Sequence, residues 1–146
     1  MRSILFVPPL LALALACSHR MTPQEEAMAP HSANQVEWGQ KLYGEYCAEC
    51  HGDKGQGNAN DKHAPPVVGK EALPLHPREG AKRAVDFHTA ADVAAFVVKN
   101  MPGDAPGSLT PEEYYAILAF DLHANGVDLA GKQVDATTAA SFVLHP

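Results

Sequence analysis

The sequence predicts an all-α domain with three main helices joined by long loops. Apolar side chains recur at helical spacing in three segments, and each segment begins beside a residue that caps helices well. We find no alternation of apolar and polar residues that would indicate strands. Residues 52–87 are rich in glycine and proline, so no long helix or strand fits there. Such a loop in a compact domain suggests that a cofactor fills the centre.

The first helix is predicted to begin beside Asn34, which forms a capping pair with Glu37, and to run into Cys47. Its inward face is predicted from side chains at helical spacing, which are Val36, Gly39, Leu42, Tyr43 and Tyr46.

The second helix is predicted to begin after Thr89, with Asp92 three residues later, and to end near Met101, because a proline follows. The third begins at the "TPEE" of residues 110–113, which places a threonine at the cap, a proline at the first helical position and two acids in the first turn. It is predicted to end at Asn125-Gly126.

The N-terminus has the pattern of an export signal. Residues 1–16 begin with one basic side chain and continue as an apolar run that is too short to cross a bilayer as a mature helix. Cys17 follows "ALA", which resembles the lipobox of bacterial lipoproteins, although Ala14 stands where leucine is more typical. The resemblance implies cleavage before Cys17 and lipidation of that cysteine; the alternative is ordinary cleavage after Ala16, which would leave a free thiol.

Four regions are therefore expected: a signal peptide at 1–16, a lipidated tether at 17–35, a folded domain at 36–126 and a C-terminal extension at 127–146.

The formal net charge is −6, and removal of residues 1–16, which carry one arginine and no acid, makes it −7. Such an acidic domain has no basic patch for nucleic acid, so we expect none to bind. The membrane contact is expected only through Cys17.

The sequence "CAECH" places two cysteines and a histidine at Cys47, Cys50 and His51. A thioredoxin-like redox pair would follow a strand, which is not predicted here. A structural zinc site needs four ligands, and the chain has no further cysteine pair and only scattered histidines. Two thiols at this spacing can instead add to the two vinyl groups of a haem, with the adjacent histidine as an axial iron ligand. Covalent haem c, held by Cys47 and Cys50, is therefore the favoured cofactor.

The other iron ligand is predicted to be Met101. It falls 50 positions after His51, and the loop that it begins, "MPGDAPGS", is a poor environment for a side chain that merely fills a core. The alternative ligands are histidines of the long loop, namely His63, His76 and His88.

With these residues the chain resembles the class I c-type cytochromes, the small bacterial monohaem proteins also found beside or fused to dehydrogenases. The matching segments are "GQKLYGEYCAECHG", "APPVVG" and "TAADVAAFVVKNMPGDAPGSLTPEEYYAILAFDLHANG", within residues 36–126. The resemblance implies a small cytochrome c fold, with three main helices and long loops wrapped around one covalently bound haem. It implies that Pro65 offers its carbonyl to the second ring nitrogen of His51. It also implies that Tyr114 or Tyr115 meets Gly39 and Tyr43.

Two departures from the family pattern stand out. Val67 replaces a common leucine, and residues 70–86 have no clear counterpart, which leaves one side of the haem pocket undefined.

The resulting functional prediction is a monomeric, non-enzymatic electron carrier that is exported and tethered on the periplasmic or cell-surface side. It would pass single electrons between redox proteins that dock transiently. The alternatives are a dedicated cytochrome subunit of a dehydrogenase or oxidase and, if Met101 does not bind iron, a haem sensor or peroxidase.

Overall fold

The computed structural model describes residues 35–58 and 64–146. The predicted signal peptide, the tether with Cys17, the cap residue Asn34 and the alternative ligand His63 lie outside these ranges.

The described residues form an all-helical domain, which confirms the predicted fold class. Three main helices are present, together with one short helical turn before the long loop and a 3₁₀ turn near the C-terminus. We label the α-helices α1 (Gln35–Tyr46), α2 (Ala48–His51), α3 (Ala90–Asn100) and α4 (Pro111–Ala124); the 3₁₀ turn is Ala139–Ser141. Within the described residues no strand forms, apart from one isolated antiparallel bridge between Thr89 and Val143.

The predicted caps explain where α3 and α4 begin. The backbone N–H of Thr89 donates to Oδ2 of Asp92 at 2.8 Å, and that of Thr110 donates to Oε2 of Glu113 at 2.8 Å. Glu113 N–H donates in return to the Thr110 hydroxyl oxygen at 3.3 Å. Each of these two capping boxes satisfies backbone amides at the helix N-terminus that have no partner within the helix. The first residue of each helix is therefore well defined.

The contact between α1 and α4 is close because Gly39 has no side chain. A Cβ built on Gly39 would lie 1.8 Å from the carbonyl oxygen of Ala116. One turn later the rings of Tyr43 and Phe120 pack with centroids 5.2 Å apart. The resemblance implied Tyr114 or Tyr115 at this crossing; the contacts that the structure gives there are those of Gly39 with Ala116 and of Tyr43 with Phe120.

The C-terminal segment contributes to the core of the domain. Val134, Ala139 and Phe142 are buried in one cluster with side chains of α3 and α4. Gln35, at the start of α1, donates to the Val134 carbonyl at 2.7 Å and accepts from the Val134 N–H at 2.8 Å. Residues 127–146 therefore pack against the helices rather than extend from them.

The loop segment around residues 74–87 is organised by Arg83. Its guanidinium lies over the Phe87 ring at 3.8 Å from the centroid, and its side chain is buried. It donates to the backbone carbonyls of Pro74, Leu75, His76 and Val85. This region, which the sequence left undefined, is thus stabilised by one cation that satisfies four loop carbonyls.

Over residues 35–58 and 64–146, none of the helices has both the length and the apolar character needed to cross a membrane.

Candidate functional site

Cys47, Cys50 and His51 lie on one helical turn at the end of α1. The Cys47 N–H donates to Tyr43 O at 2.9 Å, and the His51 N–H donates to Cys47 O at 2.9 Å, so α2 continues from α1 with little interruption. Both thiols are free and half-buried, whereas His51 is buried. The turn therefore presents two thiols and an imidazole from one short, well-anchored segment.

The His51 ring is oriented by a carbonyl of the following loop. Its Nδ1 lies 2.7 Å from the carbonyl oxygen of Pro65. A carbonyl can only accept, so Nδ1 must carry the proton and Nε2 has a free lone pair. A histidine held in this way presents Nε2 in a fixed direction as a metal ligand.

The loop that returns to His51 depends on glycines and on backbone hydrogen bonds. Gly57 has φ 83°, and a Cβ there would lie 2.9 Å from the Pro66 nitrogen. Its N–H donates to His51 O at 2.7 Å, and the amides of Val67 and Val68 both donate to Gly55 O, at 2.8 and 2.9 Å. These bonds fold the loop tightly enough to bring Pro65 against the histidine.

The Cys47 thiol is poorly suited to disulfide exchange. Burial, together with the nearby Asp121 and Cys50, raises the pKa of Cys47 to about 12. The attacking cysteine of a Cys-X-X-Cys redox motif has a lowered pKa, because the thiolate is the nucleophile. The pKa of Cys47 is shifted in the opposite direction, which argues against a thioredoxin-like role.

Met101 is placed by α3 and α4. It follows α3 directly, with its N–H bonded to Val97 O at 2.8 Å. The Tyr114 hydroxyl, on α4, donates to the Met101 carbonyl oxygen at 2.6 Å. Tyr114 is buried and Met101 is half-buried. The role of Tyr114 as an anchor for this backbone was missed in the sequence, because the order of residues does not reveal which carbonyl a tyrosine reaches.

Two of the alternative histidine ligands lie on the surface. The His76 side chain is 76% exposed and pairs with Asp86, with Nδ1 and Oδ2 3.2 Å apart. His88 is also exposed, and its backbone N–H donates to Asp92. Neither has the burial or the fixed ring orientation of His51.

Sequence reasoning also missed Asp121, an acidic residue on the inner face of α4. It is buried, and its Oδ1 is shielded from solvent with no hydrogen-bond partner. Burial raises the pKa of this carboxyl well above its ordinary value. The helical period placed it among apolar residues, which is the only signal that could have indicated its burial.

The residues of this site fit a covalently bound haem. Two free thiols lie on one helical turn, where they could attach a haem, and the ring of the adjacent imidazole is oriented so that Nε2 could bind the iron. These are the groups that haem c uses. In the part of the chain that the structure describes, no three His, Cys, Asp or Glu side chains gather as metal ligands. The described residues thus give no support to the zinc alternative.

The helical fold and this donor set define a c-type cytochrome domain, whose function is electron transfer. Residues 34–120 match the model of the family described as cytochrome c oxidase, cbb3-type, subunit III. The chain belongs to this family.

The chain is also similar to parts of larger proteins. It is 29% identical over 135 residues to the thiosulfate dehydrogenase of Stutzerimonas stutzeri (strain A1501), in a match covering 75% of this chain and 41% of that protein. The chain thus spans about two fifths of that curated relative. A crystal structure of the sulfane dehydrogenase SoxCD from Paracoccus pantotrophus matches with TM-score 0.57 and 23% identity, over 90% of this chain and 68% of the matched chain. At that identity the likeness concerns the fold alone.

Proposed function

We propose that this chain is a monohaem electron carrier whose haem c is attached through Cys47 and Cys50 and whose iron is ligated by His51 and Met101. A haem bound there supplies an iron that alternates between the ferric and ferrous states. The two cysteines hold the group permanently. The His51–Pro65 hydrogen bond holds the imidazole ring in one orientation, so the same nitrogen is presented to the iron in both oxidation states.

The observation that carries this proposal is the 2.7 Å contact between His51 Nδ1 and the Pro65 carbonyl, one turn away from two free thiols. The Pro65 carbonyl can only accept, so Nδ1 carries the proton and Nε2 carries the lone pair that can ligate iron. That asymmetry is what an axial ligand requires.

Met101 is the distal ligand in this proposal. A thioether favours ferrous iron and raises the potential relative to two histidines. The Tyr114 hydroxyl fixes the backbone at Met101 through its bond to the carbonyl oxygen, which would hold the thioether at a defined position.

We further propose that Cys17 is lipidated and that the domain works on the periplasmic or cell-surface side of a membrane. The support is the "ALAC" pattern after an apolar run. A tether of residues 17–35 would confine the domain near the membrane and raise its effective concentration toward partners there.

A second candidate function is that of a dedicated cytochrome subunit for a dehydrogenase that oxidises sulfur compounds. The observation that favours it is the similarity to a thiosulfate dehydrogenase over a segment that makes up 41% of that protein. This chain would then receive electrons from a separate catalytic subunit and pass them on.

The first experiment is to express the protein with its export signal in a host that attaches haem c, and to compare it with Met101→Ala. We expect a low-spin parent with a sulfur-to-iron band in the ferric form and one haem that survives denaturing extraction. The variant should lose the band and become high-spin or fall in potential.

The matched control is Met28→Ala, which alters a methionine outside the described residues and should leave the spectrum unchanged. A parent that carries no covalent haem, or a Met101→Ala protein with the parent's spectrum, contradicts the proposed ligation. A high-spin parent favours the sensor or peroxidase alternative. For localisation, Cys17→Ser should release the protein from the membrane fraction, and its continued retention would refute the anchor.

Co-purification separates the two functional candidates. A free carrier should elute alone after detergent extraction of the native host, whereas a dedicated subunit should elute with a catalytic chain at fixed stoichiometry. Reduction of the purified pair by thiosulfate, and not of the cytochrome alone, would favour the subunit role.

A further inference from the structure

Asp121 is a buried carboxyl that neither helix packing nor haem attachment explains. It lies on α4 with 9% of its surface exposed, and its Oδ1 has no hydrogen-bond partner. An apolar residue would fill the position without the cost of burying an unpaired polar atom.

Its neighbours place it next to the cofactor-binding turn. Cys47 packs against the cluster of Leu42, Tyr43, Ala116 and Ile117 that joins α1 to α4, and Asp121 follows Ile117 by one helical turn. Asp121 also helps to raise the pKa of Cys47 and that of Tyr43. The Tyr43 hydroxyl donates to Gly52 O at 2.8 Å, so it is committed to the loop and does not satisfy the carboxyl. Asp121 thus lies beside one proposed haem-attachment residue, in a setting of low polarity.

We propose that Asp121 couples electron transfer to proton transfer in this protein. Its carboxyl takes up one proton from solvent when a one-electron donor protein reduces the domain, and it returns that proton when an acceptor protein removes the electron. The net charge of the buried site is therefore the same in both states.

The physical basis is charge compensation in a medium of low dielectric constant. A ferric iron carries one more positive charge than a ferrous iron, and this charge stabilises a nearby carboxylate. Interactions between charges are much stronger in the interior than in water, so the affinity of Asp121 for its proton should differ between the two states. Burial raises the pKa of Asp121 well above its ordinary value.

The other titratable groups near Asp121 do not take up the proton in its place. The titratable groups that face it are Tyr43, whose pKa is raised chiefly by burial so that it stays neutral, and Cys47, which no longer titrates once it is a thioether. On the other elements packed against α4, the charged groups are exposed or bound within turns, apart from the buried Arg83, whose guanidinium is held by four loop carbonyls. The exposed ones are Glu37, Lys41, Glu45, Lys70, Lys99, Asp128 and Lys132, and the turn-bound ones are Asp92 and Asp135.

The test is the reduction potential of the intact haem protein as a function of pH. In the parent we expect a window in which the potential falls with rising pH, approaching ~59 mV per unit, because each tenfold change in proton activity changes the one-electron equilibrium tenfold. Asp121→Asn keeps the shape of the side chain and removes the proton site, so its potential should lose that slope. Glu112→Gln, an exposed acid on the same helix, is the matched control and should behave as the parent.

A second measurement does not depend on any variant folding. Redox-difference infrared spectra of the parent, with and without ¹³C-labelled aspartate, should show a protonated carboxyl band that appears on reduction and shifts with the label. A parent whose potential does not change over the window, an Asp121→Asn protein that keeps the parent's slope, or a difference spectrum without a label-sensitive band would each overturn the proposal. The second outcome would assign the proton to the haem propionates.

This inference rests on the proposed haem ligation, and the two can fail separately. Absence of a reversible one-electron couple refutes the proposed function. A reversible couple with no aspartate signal refutes only the role of Asp121.

Discussion

The two sides of the candidate haem site are built in different ways. On the His51 side, most of the supporting hydrogen bonds come from one continuous stretch of chain that turns back on itself, from Tyr43 O to the amide of Val68, and Asn125 at the end of α4 adds a bond to Val67 O at 2.8 Å. On the Met101 side, the backbone is fixed by the Tyr114 hydroxyl, which belongs to another helix. The His51 side is therefore built mainly from neighbouring residues, whereas the anchor of the Met101 side comes from α4.

The difference shows that α4 links the two sides. It packs against α1 through the contact between Gly39 and Ala116, and it anchors Met101 through Tyr114. A change in how α4 packs should affect both sides, while a change within either segment should affect only its own. Four substitutions test this division, in order of expected effect.

Gly39→Ala should have the largest effect, because the new Cβ would lie 1.8 Å from a backbone oxygen of α4. Neither helix backbone can yield easily, so we expect a loss of more than ~3 kcal/mol in the free energy of unfolding, with failure of both sides of the site. Denaturant unfolding of the haem protein measures the loss, and its yield reports on assembly.

The control is Gly44→Ala on the same helix, where a Cβ would meet nothing within 4 Å. It should stabilise the protein by about 0.5–1 kcal/mol, because alanine is the better helix former. Equal behaviour of the two variants would contradict the close crossing of α1 and α4.

Gly57→Ala should disturb only the His51 side. The positive φ of 83° and the 2.9 Å approach to the Pro66 nitrogen together should cost roughly 1–3 kcal/mol. We expect a weakened His51–Pro65 bond, visible as a shift of the His51 ring resonances and of the potential, while the sulfur-to-iron band persists. The control is Gly80→Ala, because Gly80 also has a positive φ, 73°, but open space around it. It measures the cost of the backbone conformation without that of a steric clash. Loss of the sulfur-to-iron band together with unchanged His51 resonances would contradict this prediction.

Tyr114→Phe should affect only the Met101 side. Removing the hydroxyl deletes its 2.6 Å bond to the Met101 carbonyl, which we expect to cost about 0.5–1.5 kcal/mol. The sulfur-to-iron band should weaken and disappear at a lower temperature, with the His51 resonances unchanged. The control is Tyr115→Phe, because the Tyr115 side chain packs against the buried cluster that α3 and α4 form with the C-terminal segment. If the two variants have the same spectrum, Tyr114 does not support the ligand.

Asp92→Asn should have the smallest effect and should depend on pH. Hydrogen bonds from Thr89, and then from His88, lower the pKa of Asp92 in the folded protein. Its stabilising contribution is therefore complete above the pKa of the unfolded chain and is lost as the pH falls through the lower, folded value. We expect a loss below ~1 kcal/mol at neutral pH that shrinks in acid, measured by urea unfolding. Asp104→Asn, on an exposed loop, should show no such difference; a gap that widens in acid would refute the capping role.

Local patterns in the sequence predicted the helices well, because caps such as "TPEE" and the proline after Met101 act on neighbouring backbone groups. The attachment motif was equally readable, since its chemistry depends on residues close in sequence. The roles assigned to Cys17, Cys47, Cys50, His51 and Met101 stay predictions that the experiments above address. Pro65 came from the resemblance alone, because nothing in its local sequence indicates where its carbonyl points.

The features that escaped prediction depend on contacts between distant segments. The contact between Gly39 and Ala116 depends on how closely the backbones of α1 and α4 approach. The organisation of residues 74–87 by Arg83 follows from a cation that finds four carbonyls at once. The isolation of Asp121 appears only when α1 and α4 are packed together. Of these features, only the burial of Asp121 has a periodic signal in the sequence.

The pair of hydrogen bonds between Gln35 and Val134 has a consequence for how the protein is made. They join residues 99 positions apart, so the first turn of α1 obtains its partner only after almost the whole chain has been synthesised. The turn carrying Cys47 and Cys50 emerges much earlier and can form from its own neighbours. The order of synthesis therefore leaves an interval in which the thiols are presented while the domain is still open, and closure by the C-terminal segment comes last.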